Sequence, residues 1–95
     1  MLKSLTFEVF GDVQGVNFRH YAREKAKQLK LVGYCRNTES GSVAGKVQGS
    51  PSAVEEYKKF LRYEGSPVST VHDAKFKEED LPNGQLEYKS FRVTH

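Results

Sequence analysis

A change in the spacing of apolar residues around positions 11–19 constrains the fold more than any other feature of this sequence. Before this stretch every second residue is apolar, at Leu5, Phe7 and Val9. After it, apolar residues recur at helical spacing, at Phe18, Ala22, Ala26 and Leu29. A spacing of two is typical of a half-buried strand, and the helical spacing indicates an amphipathic helix. We therefore predict a strand-to-helix loop here.

The predicted loop combines three features that bind anions. Gly11 and Gly15 allow a positive φ angle, which can turn successive N–H groups to one side. The start of the helix adds unpaired N–H groups and partial positive charge. Arg19, in the first helical turn, adds a planar cation that matches phosphate oxygens. These features predict a phosphate site. The alternative is that the glycines only turn the chain and the arginine is solvated. The spacing fits neither a Walker A loop nor a dinucleotide fingerprint.

Length and charge limit the possible classes of protein. A chain of 95 residues predicts one domain, spanning residues 1–95. Its 15 basic residues are interleaved with 12 acidic ones, a pattern that favours a small anionic ligand over nucleic acid. No apolar run resembles a signal peptide or could span a membrane, so we expect a cytoplasmic protein. One cysteine and three scattered histidines predict no internal disulfide and no metal site.

The remaining sequence predicts five strands and two helices. The strands are expected at about Lys3–Phe10, Val32–Asn37, Ser42–Gln48, Thr70–Phe76 and Tyr88–Val93. The helices are expected from Phe18 to Lys30 and from Pro51 to Gly65, with Ser50 as N-cap and Pro67 beyond the end. Residues 38–41 form a predicted hairpin turn, and residues 78–84 a predicted acidic loop. The first six of these elements follow the order of an α+β, ferredoxin-like βαββαβ sandwich, with two helices on one face of an antiparallel sheet, and the strand at about Tyr88–Val93 follows them.

The predicted hairpin contains a second candidate site residue, Asn37, at the end of its first strand. An asparagine at a turn usually caps its own backbone, so alone it is weak evidence for catalysis. Together, two stretches resemble the signature motifs of the acylphosphatases: Gly11-x-Val13-Gln14-Gly15-Val16-x-Phe18-Arg19 and Gly33-Tyr34-x-x-Asn37-x-x-x-Gly41-x-Val43. The resemblance extends over essentially the whole chain, including Gly45-x-Val47-x-Gly49 and Gly65-Ser66-Pro67.

This resemblance implies a hydrolase that cleaves the carboxyl–phosphate bond of acyl phosphates by direct in-line attack of water. Arg19 would bind the substrate phosphate together with backbone N–H groups of Gly15, Val16, Asn17, Phe18 and Arg19. Asn37 would orient the attacking water. The resemblance implies no metal, no cofactor and no phosphoenzyme. It also implies a monomer that takes a small-molecule acyl phosphate, releases inorganic phosphate, and binds neither nucleic acid nor membrane.

Three alternatives remain open at this point. An RNA-binding module of the same fold class would need exposed aromatic residues on the central strands, where only Tyr34 qualifies. A regulatory domain could keep the phosphate site without catalysis, and a larger carbamoyl-transfer protein could contain such a domain. The length of the chain favours a stand-alone enzyme over the last of these. We also expect Cys35 to be a buried apolar residue, and Asp12 and His20 to be solvated.

Overall fold

The computed structural model describes residues 2–15, 17–64, 70–81 and 84–94. Its strands are β1 (Leu2–Asp12), β2 (Val32–Asn37), β3 (Val43–Gly49), β4 (Thr70–Leu81) and β5 (Phe91–Thr94). Its helices are α1 (Phe18–Gln28) and α2 (Pro51–Lys59), and a π-helical segment, Phe60–Glu64, continues α2. Neither helix in these described ranges has the length and apolar character needed to cross a bilayer.

The described strands form one sheet in the order β4-β1-β3-β2-β5. Strand β1 runs antiparallel to β3 and β4, and β2 runs antiparallel to β3. Strand β5, however, runs parallel to β2, with Gly33 opposite Phe91 and Arg36 opposite Thr94. The prediction of a purely antiparallel sheet was therefore wrong, and the sheet is mixed. Strands β4 and β5 are consecutive in the sequence but lie at opposite edges of the sheet.

Both helices cover the same face of the sheet. Leu5, Phe7 and Val9 of β1 are buried in one core cluster with residues of both helices. Most of the apolar residues predicted for the two helices are buried: Phe18, Ala22, Ala26, Ala53, Val54, Tyr57, Phe60 and Leu61. Leu29, also predicted, is the C-cap of α1 and is partly buried against the same core. The Tyr57 hydroxyl donates a 2.9 Å hydrogen bond to the Ala22 carbonyl and so joins the two helices. Such a bond contributes about 1 kcal/mol to stability.

Several predicted boundaries moved. Strand β4 continues to Leu81, so part of the predicted acidic loop is a strand paired with β1. Cross-strand ion pairing explains how the acidic residues fit there, since Lys3 Nζ lies 2.7 Å from an Asp80 carboxylate oxygen. Helix α1 ends two residues early, because Lys30 adopts a left-handed φ of 59°. Strand β5 begins at Phe91 rather than Tyr88. The predicted stop at Gly65 and Pro67 lies outside the described residues.

Candidate active site

A cavity of about 310 Å³ lies where the loop after β1 enters helix α1. The described residues that line it are Val13, Gly15, Asn17, Phe18, Arg19, His20, Arg23 and Val93. The loop and the first turns of α1 form most of the wall, and β5 contributes the rest. The loop predicted to bind phosphate therefore faces a cavity rather than a flat surface.

The backbone at the start of α1 has the conformation expected of an anion-binding loop. Gly15 has a φ of 73°, and Asn17, the N-cap residue, is also left-handed with φ 61° and ψ 20°. A non-glycine residue in this region costs energy, and asparagine tolerates it better than most. The Asn17 side chain makes no capping hydrogen bond to this helix. The first turn thus keeps donors that a cap would otherwise occupy. Val16, the remaining predicted loop residue, lies outside the described residues.

Phe18 and Arg19 point in different directions from the first turn of α1. The Phe18 ring is buried and lies 6.3 Å from the ring of Phe60, between centroids, so it anchors the helix in the core. Arg19 lines the cavity, and its Nη1 atom donates a 3.2 Å hydrogen bond to the carbonyl oxygen of Thr94 in β5. Because Thr94 pairs with Arg36, this contact places Arg19 beside the end of β2 that carries Asn37.

Asn37 is the last residue of β2 and lies opposite Val43. Its side-chain oxygen Oδ1 is buried, and no donor among the described residues hydrogen-bonds to it. The alternative that Asn37 caps its own turn is not supported, because Thr38 performs that task. Thr38 N–H donates to the Ser42 carbonyl (2.9 Å), and Ser42 N–H donates to Thr38 Oγ1 (3.2 Å).

Gln14 connects the two signature motifs, and the sequence alone gave it no such role. Its Nε2 atom donates to the carbonyl oxygens of Thr38 and Ser42, both at 2.9 Å. The side chain therefore ties the loop after β1 to the hairpin turn immediately after Asn37. These contacts span 24 and 28 residues in sequence, so no local pattern could reveal them. Its place within the first motif was the one available signal.

Hydrogen-bonded hydroxyl groups of Thr38 and Ser42 connect the hairpin turn to β1. Ser42 is 1% exposed, and its hydroxyl donates a hydrogen bond to a Glu8 carboxylate oxygen in β1. Thr38 Oγ1 and Ser42 Oγ are also hydrogen-bonded to each other. Buried polar groups without partners are costly, and this network satisfies Ser42 while fixing the turn against β1. The network thereby fixes the turn that directly follows Asn37, the last residue of β2.

Three further residues, Cys35, Asp12 and His20, can be compared with their predicted burial. Cys35 is fully buried, and burial raises the pKa of its thiol from 9.0 to about 12, against the opposing fields of Arg19 and Arg23. The thiol stays neutral, which confirms the prediction of a buried apolar residue. Asp12 is exposed, as predicted. His20 is exposed too, but it lines the cavity. Arg23 lines the cavity as well.

Comparisons of the sequence with known proteins identify a family. A model of the acylphosphatase family matches residues 5–93. Acylphosphatase-2 of Bos taurus is 42% identical over 94 residues, which cover 99% of this chain and 94% of that protein. Acylphosphatase-2 of Mus musculus is 43% identical over 95 residues, 100% of this chain and 89% of that protein.

A solved structure gives the same result for the fold. The crystal structure of acylphosphatase from Bacillus subtilis matches with a TM-score of 0.87 and 30% identity, and the match covers 100% of both chains. Two helices on a five-stranded mixed sheet are thus shared with that protein. The resemblance found in the two motifs is confirmed, and we conclude that this chain belongs to the acylphosphatase family and is an enzyme of that family.

Proposed function

We propose that this chain hydrolyses acyl phosphates by direct, in-line attack of water, without a metal ion. Arg19 and the backbone N–H groups of residues 15–19 bind the phosphate. Asn37 orients the water. The substrate is a small-molecule acyl phosphate, and the products are a carboxylate and inorganic phosphate. Membership of the family supports the overall reaction, and the geometry of the site supports these finer roles.

The observation that carries the proposal is the buried Oδ1 atom of Asn37. A buried amide oxygen without a donor costs about 1–3 kcal/mol, so such a group persists where another partner serves it. A water molecule is a suitable partner because it can donate one hydrogen to Oδ1 and keep a lone pair for attack. An amide cannot remove a proton at neutral pH, so Asn37 is a positioning group and not a general base.

The phosphate half of the proposal is supported by the start of α1. The N-cap Asn17 is left-handed and makes no side-chain cap, and the residues of the first turn, Phe18 and Arg19, line the cavity at the positive end of the helix. The Arg19 guanidinium is oriented by its hydrogen bond to the Thr94 carbonyl, which limits the conformations it can adopt. A charge held in place needs little reorganisation when negative charge spreads over the phosphoryl oxygens.

The reaction balances with these groups alone. The water oxygen forms a bond to phosphorus while the bond between phosphorus and the carboxyl oxygen breaks. The electron pair of the broken bond leaves on the carboxylate, a weak base that needs no proton. We propose that a phosphate oxygen takes the proton of the water, because neither Arg19 nor Asn37 can. Catalysis then depends on position and charge stabilisation.

The test is hydrolysis of benzoyl phosphate in the presence of a chelator. We expect metal-independent turnover, about 10³-fold slower or worse in Arg19→Ala, by analogy with the removal of one oxyanion donor. Asn37→Ala should lose turnover while still binding inorganic phosphate. Arg62→Ala is the matched control, because Arg62 contacts Phe76 and Ala74 and does not line the cavity.

Three outcomes would change the proposal. Full activity of Asn37→Ala would remove the role given to its amide. Activity that disappears with chelator and returns with a divalent metal would remove the metal-free scheme. Phosphate binding without turnover in the unmodified chain would favour the regulatory domain considered above. The cytoplasmic location, the monomeric state and the absence of nucleic-acid partners stay predictions from the sequence.

A further inference from the structure

The cavity wall contains a second arginine that the scheme above does not use. Arg23 lies one helical turn after Arg19, and both residues line the cavity. Both guanidinium groups also lie close enough to Cys35 to act on its thiol. Arg19 and Arg23 are therefore directed toward the same part of the sheet, and not to opposite sides of the helix.

The contacts of Arg23 leave part of its binding capacity unused. Its Nε atom is buried and has no hydrogen-bond partner among the described residues. Among the described residues, Arg23 forms an ion pair with the adjacent Glu24, with 3.6 Å between Nε and Oε2, and the Glu24 side chain is 47% exposed. Like charges one turn apart also repel each other on a helix. Two arginines facing one cavity are better explained if anions bind between or beside them.

We propose that Arg23 binds a second negative charge, located on the acyl group of the substrate. The preferred substrates are then acyl phosphates whose acyl group carries a carboxylate or a phosphate. This inference rests on the proposed function, since Arg19 must hold the reacting phosphate. Cβ atoms one turn apart on a helix are roughly 5–6 Å apart, so the two anions can be held by neighbouring side chains at about that separation.

The test compares two substrates that differ in charge and little else. In 3-carboxybenzoyl phosphate a carboxylate occupies the ring position that a methyl group occupies in 3-methylbenzoyl phosphate. The measured quantity is the ratio of kcat/KM for the first substrate to kcat/KM for the second. We expect the unmodified chain to favour the carboxylate, and Arg23→Gln to lower the ratio about 10-fold to 100-fold, as expected for charge-assisted hydrogen bonds.

Two further variants separate a specific contact from a general field. Lys27→Gln removes one positive charge from the same helix, one turn further on, at a side chain that is 61% exposed and does not line the cavity. It should leave the ratio unchanged. Arg23→Lys keeps the charge but loses the planar fork, and it should keep part of the preference. Thermal unfolding of each variant verifies that it is folded.

The outcomes distinguish this inference from the proposed function. An unmodified chain without preference, an unchanged ratio in Arg23→Gln, or an equal fall in Lys27→Gln would each overturn the role of Arg23 while the hydrolase remains. Failure to hydrolyse either substrate would instead overturn the proposed function itself.

Discussion

Helix α2 begins with a side-chain cap, whereas helix α1 begins without one. At α2, Ser50 has an extended backbone with φ −66°, its hydroxyl accepts a 3.3 Å hydrogen bond from Ala53 N–H, and Pro51 follows. At α1, Asn17 is left-handed, and its side chain accepts no hydrogen bond from the first turn. Neither helix has an acidic residue in its first turn.

The difference reflects two uses of the same helix end. At α2 the chain satisfies its own donors, which contributes about 1 kcal/mol to stability. At α1 the N-cap Asn17 is left-handed and makes no side-chain cap, and Asn17, Phe18 and Arg19 line a cavity. Under the proposed function, reduced local stability at this helix end is the cost of binding phosphate there.

The largest expected difference between the two helix ends is the response to inorganic phosphate. At about 100 times its Kd, phosphate should raise the free energy of unfolding by about 2.7 kcal/mol, because it binds only the folded chain. Amide NMR signals of Asn17, Phe18 and Arg19 should shift, and those of Ser52 and Ala53 should not. Equal shifts at both helices would contradict the comparison, and Arg19→Ala should lose most of the stabilisation.

A smaller effect is expected when an acidic residue is placed at each N-cap. Asn17→Asp adds negative charge beside the cavity and should lower kcat/KM for benzoyl phosphate about tenfold or more, because it repels the phosphate. Ser50→Asp makes the same charge change at α2 and should leave kcat/KM unaltered. Steady-state kinetics at low ionic strength measure both variants. Similar losses in both variants would show that only the overall charge matters.

The smallest effects concern stability and have opposite signs. Ser50→Ala removes the cap of α2 and should lower the free energy of unfolding by about 1 kcal/mol. Asn17→Gly relieves the left-handed backbone of α1 and should raise the same quantity by a few tenths to about 1 kcal/mol. Urea denaturation measures both. A loss of stability in Asn17→Gly would mean that the asparagine side chain stabilises the loop.

Much of the fold followed from local patterns. The alternation at Leu5, Phe7 and Val9 identified β1, and the Ser50–Pro51 pair identified the start of α2. The bounds of β2 were predicted as they are observed, Val32–Asn37. These features depend on residues close in sequence, and their physical causes, burial of one face and helix capping, act locally.

The direction of β5 and the extent of β4 did not follow from the sequence. Strand β5 pairs with β2 at a sequence separation of 58 residues, as between Gly33 and Phe91, and its apolar spacing is the same in either direction. The acidic end of β4 was predicted as a loop from its composition. In the structure it is a strand, in which Lys3 pairs with Asp80 and Lys58 pairs with Glu78. Such neutralisation depends on partners distant in sequence.

The sequence by itself determined the two motifs, the helices and strands that carry them, and the family to which they belong. The tertiary structure decided which side chains meet: Gln14 at the hairpin turn, Arg19 at Thr94, the buried oxygen of Asn37 and Arg23 in the cavity. The reason is physical, since spacing specifies the face on which a residue lies. Only the packing of distant segments specifies what that face contacts.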